Sequence, residues 1–548
     1  MKIAIEGNIY EYPEGTKLED IAKDFEHVYN GIIVAAKVDN ELKDLNCTVS
    51  KDSTVEFVDT TIEEGTRIYR RSLTFVFIKA VKELLPGATV TIEHSLGKGL
   101  YCEIHGYSLN NKIVSMIKKR MEEIIKKDFK IERKMLPKEE AIKLFEKEGL
   151  TEKVKLFKDT DKEKVPVYYC DGTVDFFYSP CVPSTGYLKV FDIRFYFPGV
   201  ILIAPDVYNP RSLPVFVDVP KLASIFKEAE DWASILNISY VSSLNDMIKL
   251  GKGRDLILVS EAFHEKKISK IADYIASNKM IKVVLIAGPS SSSGKTSFIH
   301  RLSVQLRVNG LRPFPISLDN YFVPRELTPK DEFGNYDFES IDALDLPLFN
   351  EHLIKLIQGE EVEIPIFNFK TGEREPEGKK VKLDKNQIIL MEGIHGLNEK
   401  LTLQIPKDNK YKIYVSAITQ LNLDEHNRIP TTQTRLIRRI VRDSQFRSSD
   451  AAETINMWPM VRRGEEKWIF PYQEQADVMF NSFLPYELPV LKKYAEPLLK
   501  KVSQDNPAYS IAKEILEFLS YFLPLEDELA IPPNSIIREF IGGSCLDV

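Results

Sequence analysis

The run of residues best suited to chemistry lies between Ile281 and Ser297 of this 548-residue chain. An apolar strand leads into a loop of glycine and serine residues, and the loop ends in Gly294, Lys295 and Thr296. The amides of such a loop can surround a polyphosphate, and the positive end of the following helix adds to the attraction. The lysine can reach the outer phosphates, and the threonine hydroxyl can ligate Mg²⁺. This pattern therefore predicts a binding site for ATP and a magnesium ion.

The candidate phosphate-binding residues belong to this loop and to the helix that follows it: Gly288, Ser292, Ser293, Gly294, Lys295, Thr296 and Ser297. The usual phosphate-loop pattern has four residues between its glycines, whereas five separate Gly288 from Gly294. We infer one extra residue near positions 289–291, which affects the expected role of Gly288 more than that of Lys295. A serine-rich turn before a helix is the alternative interpretation.

Two acidic residues follow predicted strands farther along the chain. Asp319 follows a strand over 313–318, and Glu392 follows a strand over 387–391. Open α/β sheets bind ligands at the carboxyl ends of their strands. Asp319 can accept a hydroxyl proton or hold Mg²⁺ through water, and Glu392 is the expected acidic partner of Mg²⁺. A turn aspartate that caps the next segment is the alternative for Asp319.

Four arginines share one face of a predicted helix, at the spacing i, i+3, i+4 and i+7: Arg435, Arg438, Arg439 and Arg442. With only Asp443 adjacent, four such charges would repel one another unless an anion lay between them. We therefore expect this face to contact the phosphates of ATP, with Arg438 and Arg442 as binding residues and Arg442 also as a catalytic one. A solvated surface is the alternative.

The elements that must position these residues divide the chain into five predicted regions. Short alternating strands over 1–60 predict a β-grasp domain, and 61–222 reads as an α+β domain that includes a long helix from Asn111 to Lys134. A helical connector (223–280), a doubly wound parallel sheet (281–480) and a helical extension (481–548) follow. The expected fold class is therefore α/β.

Composition narrows the class of protein. Hydrophobic residues make up 43% and charged residues 28%, as in ordinary globular proteins, and the net charge of −7 argues against a polyanion binder by bulk charge. The five cysteines are scattered and odd in number, which predicts reduced thiols in the cytoplasm. No apolar run approaches ~20 residues, so no membrane partner is expected. The charge-dense stretch 112–164 is a solvated surface or, alternatively, an RNA contact.

Five segments occur here in the order found in the uridine kinase and phosphoribulokinase family, which the second half of the chain resembles: ISLDNYF from Ile316, YDFESIDALD from Tyr336, IPIFNFKTG from Ile364, MEGIHGL from Met391 and RLIRRIVRD from Arg435. The resemblance implies a P-loop kinase domain over about 281–480. It implies that Asp319 is the base for a ribose 5′-hydroxyl and that the arginine helix is a lid over ATP. It also implies a set of substrate contacts: Tyr321 or Phe322 on the nucleoside, Glu339 on the ribose hydroxyls, and Phe367 and Phe369 near the base.

The front half carries a second resemblance. Two segments carry it, RRSLTFVFIKAVKELLPGA from Arg70 and DFFYSPCVPSTGYLKVFD from Asp175. Residues 1–60 resemble a TGS domain, and through these two segments residues 61–222 resemble the additional domain of threonyl-tRNA synthetase. That domain edits with a metal site, and the matching positions here are Arg71, Phe75, Phe177 and Cys181. One thiol cannot build a tetrahedral zinc site. We therefore expect a domain that has the fold of the editing domain but lacks its editing chemistry. We also expect an RNA contact made through the front domains.

Together these observations predict an ATP- and Mg²⁺-dependent nucleoside kinase, expected to be a homo-oligomer, that phosphorylates uridine or cytidine. Lys295 and the arginine face would stabilise the transferring phosphoryl group. Thr296, Glu392 and Asp319 would hold the metal. Two alternatives remain: a kinase of the same family with a sugar phosphate acceptor, and an RNA-associated regulatory protein whose phosphate loop binds nucleotide as a switch.

Overall fold

The computed structural model describes residues 1–289, 292–330, 334, 336–368 and 371–546. Within these residues, every helix is too short or too polar to cross a membrane. The first sixty residues form a five-stranded sheet in the order β2-β1-β7-β4-β5, packed against one face of α1. Its elements are β1 (Lys2–Ile5), β2 (Asn8–Glu11), β3 (Thr16–Lys17), α1 (Leu18–Phe25), β4 (Ile33–Val38), β5 (Glu41–Lys43), β6 (Thr48–Val49) and β7 (Ser53–Asp59).

The next region is α+β. An antiparallel sheet in the order β13-β14-β9-β8 lies against α2 and α3, and a three-stranded sheet in the order β10-β11-β12 stands apart from it. The elements are α2 (Glu63–Leu84), β8 (Thr89–Leu96), β9 (Gly99–His105), α3 (Asn111–Lys127), β10 (Glu132–Pro137), α4 (Lys138–Lys147), α5 (Thr151–Lys158), β11 (Lys164–Cys170), β12 (Thr173–Asp175), β13 (Asp192–Tyr196) and β14 (Gly199–Ile203). Three helices then lead on: α6 (Pro220–Leu236), α7 (Val241–Lys249) and α8 (Gly253–Ser277).

The second half is built on a parallel five-stranded sheet in the order β16-β21-β15-β22-β23. All five residues of its central strand, β15, are buried, as expected for a parallel strand covered on both faces. The elements are β15 (Val283–Ala287), α9 (Lys295–Val308), β16 (Arg312–Ser317), α10 (Leu346–Ile357), β17 (Val362–Ile364), β18 (Phe367–Asn368), β19 (Glu373–Arg374), β20 (Lys379–Val381), β21 (Gln387–Glu392), β22 (Lys410–Ser416), α11 (Thr431–Phe446), α12 (Ala451–Trp468), β23 (Val478–Asn481), α13 (Glu487–Leu499), α14 (Tyr509–Leu519) and α15 (Arg538–Ile541). The expected α/β class with a parallel sheet is confirmed.

The segment 417–430, which connects β22 to α11 within the second half of the chain, contacts the front half and is called the joining segment. In this joining segment, Asp424 accepts a hydrogen bond from Lys153 Nζ at 2.8 Å, and the same ammonium lies 3.1 Å from Asp175. All three side chains are fully buried. Burial alone would lower the pKa of Lys153, but the charges of Asp175, Asp424 and Glu425 outweigh it and hold that pKa above its usual value. The halves therefore share a buried ionic cluster as well as an apolar core.

Candidate functional site

Three neighbouring strands of the parallel sheet bring the predicted site residues to one edge. In the register, Ile286 of β15 pairs with Glu392 at the end of β21, and Glu392 pairs with Ser317 at the end of β16. Asp319 follows in a short 3₁₀ turn, in which the hydroxyl of Ser317 accepts a hydrogen bond from its amide at 3.3 Å. The loop after β15 leaves from the same edge. The predicted alignment of these strand ends is observed, because parallel strands align their carboxyl ends.

The phosphate loop is closely packed at both of its glycines. A Cβ atom on Gly288 would lie 2.0 Å from the carbonyl oxygen of Val415, so only glycine fits there. Gly294 has φ +81°, a left-handed conformation that glycine adopts without strain, directly before α9. Ser292, with φ +56°, is also left-handed. The inferred extra residue near 289–291 falls largely outside the described residues, since positions 290 and 291 are not among them.

Lys295 points back into this loop. Its ammonium donates hydrogen bonds to the carbonyl of Pro289 at 2.9 Å and to the hydroxyl of Ser293 at 3.3 Å. Burial lowers the pKa of Lys295, and the charge of Glu392 opposes part of that shift. A lysine ammonium held within the phosphate loop is the group that binds the outer phosphates of a nucleotide.

The two carboxylates at this edge carry raised pKa values. Burial raises the pKa of Glu392, against the opposing charge of Lys295, and burial also raises the pKa of Asp319. The Thr296 hydroxyl lies in the first turn of α9, and the half-buried Glu392 and exposed Asp319 lie at the strand ends; all three offer the hard oxygen donors that suit Mg²⁺. Thr296, Glu392 and Asp319 therefore fit the predicted ion by their chemistry.

The four arginines of α11 have counter-ions that the sequence interpretation missed. Arg435 forms a buried ion pair with Glu465, and Arg438 pairs with Glu487 at 2.6 and 2.9 Å. Arg439 and Arg442 both pair with Asp443. The expectation that only Asp443 balances this face is therefore wrong, because Glu465 and Glu487 fold back onto it from α12 and α13.

Arg438 is a positioning residue behind the phosphate loop, and its expected direct contact with ATP is corrected. Its side chain is 0% exposed, and it donates to the carbonyl oxygens of Ser292 at 3.3 Å and Ser482 at 2.8 Å. The helix itself is fixed by Ile437, Ile440 and other apolar residues in the main core. A helix packed in this way is not the loosely held lid that closure over a ligand requires. The role of Arg442 in binding and catalysis stays a prediction.

Tyr321 is also corrected as a substrate contact. It is 1% exposed, its ring meets that of Phe349 edge-on at 4.9 Å, and its hydroxyl lies 3.2 Å from His352 Nδ1. The alternative residue, Phe322, is only partly buried. It lies 5.6 Å from Phe367 and 6.4 Å from Phe338, measured between ring centroids. These three rings form the aromatic cluster, in which Phe367 is buried while Phe322, three residues after Asp319, and Phe338 are accessible for stacking on a base. Phe369 lies outside the described residues.

Glu339 lies against α12. A Cβ atom on Gly464 would lie 2.0 Å from its Oε2, so the glycine leaves room for this carboxylate. Burial raises the pKa of Glu339, and the charges of Asp337 and Glu465 add to the increase. The proposed contact of Glu339 with ribose hydroxyls stays a prediction.

Two residues near the site have no signal in the sequence pattern. Arg374 pairs with Asp345 at 3.0 Å and donates to the carbonyls of Tyr321 and Phe322, so it fixes the turn that carries Asp319. Glu539, from the C-terminal α15, accepts a hydrogen bond from Ser297 Oγ at 2.8 Å. Only the buried polar contacts of the folded chain reveal either residue.

The four positions that match a metal site in the front half form a packed interior. The rings of Phe75 and Phe177 meet at 5.6 Å, and Arg71 donates to the carbonyl of Pro180 at 2.9 Å. Burial raises the pKa of the Cys181 thiol to about 12. Nowhere in the described parts of the chain do three or more His, Cys, Asp or Glu residues gather as a metal site would need. The absence of zinc and of editing stays a prediction.

Comparison with known proteins finds two kinds of similarity. Residues 283–486 match the model of the Phosphoribulokinase / Uridine kinase family. The threonine–tRNA ligase of Clostridium kluyveri is 29% identical over 264 residues, which are 48% of this chain and 40% of the ligase. That of Syntrophomonas wolfei is 33% identical over 190 residues, 34% of this chain and 30% of the ligase. The matches thus span less than half the length of these ligases.

Among solved structures, one from Bacillus stearothermophilus described as a possible uridine kinase is 17% identical. The match covers 38% of this chain and 97% of that one, with a TM-score of 0.25. By the family model and the sequence matches, the second half of the chain is similar to the Phosphoribulokinase / Uridine kinase family of P-loop kinases, and the front half to threonine–tRNA ligases.

Proposed function

We propose that this protein is a nucleoside kinase that transfers the γ-phosphate of ATP to the 5′-hydroxyl of uridine or cytidine. The observation that carries the proposal is the convergence of the phosphate loop, Glu392 and Asp319 at the carboxyl edge of β15, β21 and β16. A protein that only switches on nucleotide binding has no use for an acceptor carboxylate at that edge. The aromatic cluster beside Asp319 supplies a surface on which a pyrimidine can stack.

The mechanism follows from this arrangement. Asp319 accepts the proton of the 5′-hydroxyl as that oxygen attacks the γ-phosphorus, the bond from the γ-phosphorus to the bridging oxygen breaks, and ADP leaves. Lys295 neutralises charge on the outer phosphates, and the loop amides hold them in line. Thr296, Glu392 and Asp319 would hold Mg²⁺, which would supply further neutralisation of the phosphates. Arg374 keeps the acceptor turn in place through its hydrogen bonds to backbone carbonyls.

The similarity of the front half to threonine–tRNA ligases supports a contact with RNA as part of the same proposal. Residues 1–222 would then carry the RNA contact while the second half carries the chemistry. A cytoplasmic homo-oligomer is the setting proposed for both. The RNA-associated switch is the second candidate, and it predicts nucleotide binding without an acceptor.

The test is a phosphorylation assay with ATP and Mg²⁺ across uridine, cytidine, adenosine, guanosine and ribulose 5-phosphate. We expect one nucleoside monophosphate per ADP with uridine or cytidine, and none from the Lys295→Ala variant. Phosphorylation of ribulose 5-phosphate alone would identify a sugar phosphate kinase. Tight nucleotide binding with no acceptor phosphorylated would favour the switch and contradict the proposal.

A further inference from the structure

The C-terminal segment 531–546 reaches the nucleotide site from the far end of the chain. Glu539 Oε2 accepts a hydrogen bond from the hydroxyl of Ser297 at 2.8 Å and lies 3.4 Å from the amide nitrogen of the same residue. Ser297 belongs to the first turn of α9, directly after Lys295 and Thr296. The carboxylate of Glu539 thus occupies the N-terminal end of α9, where the chain passes from the phosphate loop into the helix.

The segment is firmly built into the second half. Ile536, Ile537 and Phe540 are 0% exposed and belong to the main core. The ring of Phe540 lies 5.0 Å from the guanidinium carbon of Arg438. A Cβ atom on Gly294 would lie 2.6 Å from Ile536 Cγ2, so the segment lies directly against the loop. The packing of these neighbours therefore holds the backbone of Glu539 beside the nucleotide site, so that a change of its side-chain rotamer would be enough to move the carboxylate.

The charge of Glu539 affects the pKa values of two other residues of the site. Together with Glu392 it opposes the burial that lowers the pKa of Lys295, and after burial it is one of the charges that raise the pKa of Glu392. The amides at the first turn of such a helix are the groups that bind nucleotide phosphate. An anion of the protein and an anion of the ligand cannot share this position, because like charges a few ångströms apart repel strongly.

We propose that Glu539 is an internal competitor of the nucleotide: its carboxylate fills one phosphate position at the start of α9, and ATP binds when that side chain rotates away from Ser297. The inference rests on the nucleotide-binding function proposed above. It assigns to the C-terminal segment a role in setting how tightly the donor nucleotide binds. Because the competition is for a phosphate position at Ser297 rather than at the ammonium of Lys295, which points back into the loop, a triphosphate that spans the whole loop is affected more than pyrophosphate.

The experiment compares the full-length Glu539→Gln variant with the wild-type protein by calorimetric titration. The probes are AMP-PNP and inorganic pyrophosphate, each with Mg²⁺ and without any acceptor. Glutamine keeps the hydrogen-bond acceptor and removes the charge. We expect AMP-PNP to bind about tenfold more tightly to the variant, and pyrophosphate to gain less. Glu526→Gln, at an exposed glutamate of the same C-terminal region, is the matched control and leaves both affinities unchanged.

The outcomes separate this inference from the proposed function. If the wild-type protein binds AMP-PNP but Glu539→Gln binds it equally or less tightly, the competition is refuted and the proposed function is not. If neither protein binds AMP-PNP, both are refuted. Glu539→Ala provides a second variant, and urea unfolding without nucleotide shows whether either substitution disturbs the fold. Equal gains for pyrophosphate and AMP-PNP would place the competing charge nearer Lys295 and overturn the assigned position.

Discussion

Replacing Arg438 by alanine separates a structural role for the arginine helix from a role in binding ATP. Arg438 is the fully buried partner of Glu487, at 2.6 and 2.9 Å, and it also donates to the carbonyls of Ser292 and Ser482. Glu487 is likewise fully buried, so the variant leaves an uncompensated carboxylate inside the protein. Breaking a buried pair from one side typically costs about 3–5 kcal/mol. We expect that loss in the free energy of unfolding.

The assay is urea unfolding of the full chain, followed by circular dichroism at pH 7. The control is Arg447→Ala, at the residue directly after the same helix, whose side chain is 60% exposed and 3.7 Å from Asp443. It is expected to change the unfolding free energy by less than about 0.5 kcal/mol. The double variant Arg438→Met, Glu487→Leu, which removes both charges, is expected to recover much of the loss.

A different result would refute this reasoning. If Arg438→Ala unfolds at the wild-type urea concentration and only raises the Michaelis constant for ATP, then Arg438 is a nucleotide contact and not an internal counter-ion. If the double variant is no more stable than Arg438→Ala, the loss of unfolding free energy comes from the lost contacts with Ser292 and Ser482 rather than from the unpaired charge of Glu487.

Two further predictions concern the acceptor carboxylate and the response to acid. Asp319→Asn should lower kcat by about 10²–10⁴-fold while AMP-PNP binding is unchanged; wild-type turnover in steady-state kinetics would contradict its role as base. Burial lowers the pKa of His94 and His264 to about 3 and that of His395 to about 4. These histidines bind protons only on unfolding, so their own contribution to stability is complete above pH ~6.5 and falls as the pH drops, by about 2 kcal/mol per histidine at pH ~5. Urea unfolding at several pH values, compared between the wild-type protein and His264→Gln, measures the contribution of one histidine, and identical slopes in the two proteins would contradict it.

The parts of the site that were predictable from sequence are those that local pattern determines. The apolar strand before Gly288, the Gly-Lys-Thr end of the loop and the strand-end positions of Asp319 and Glu392 each depend on a few neighbouring residues. Parallel strands then align these positions at one edge without further information. For the same reason the α/β class and the parallel sheet followed from the pattern alone.

The parts that were missed depend on contacts between distant residues. Arg438 meets its counter-ion 49 residues later, and Ser297 meets Glu539 after 242 residues. The spacing of residues along one helix does not indicate either of these partners. Tyr321 turned inward because it sits in a 3₁₀ turn that faces α10, which a motif of aromatic residues does not specify. The helix expected to reach Lys134 ends at Lys127 because Asp128 is left-handed, with φ +52°.

The ionic cluster that joins the two halves has a consequence for synthesis of the chain on the ribosome. Lys153 and Asp424 are 271 residues apart in sequence. At 5–20 residues per second, Asp424 is made roughly 15–55 s after Lys153. During that interval the surface of the front half that will contact the joining segment faces water, and the lysine has Asp175 as its buried-cluster partner but not Asp424. The front half therefore reaches its final packing only when the second half has been made. The time at which the front half completes its folding thus depends on the translation of residues in the second half.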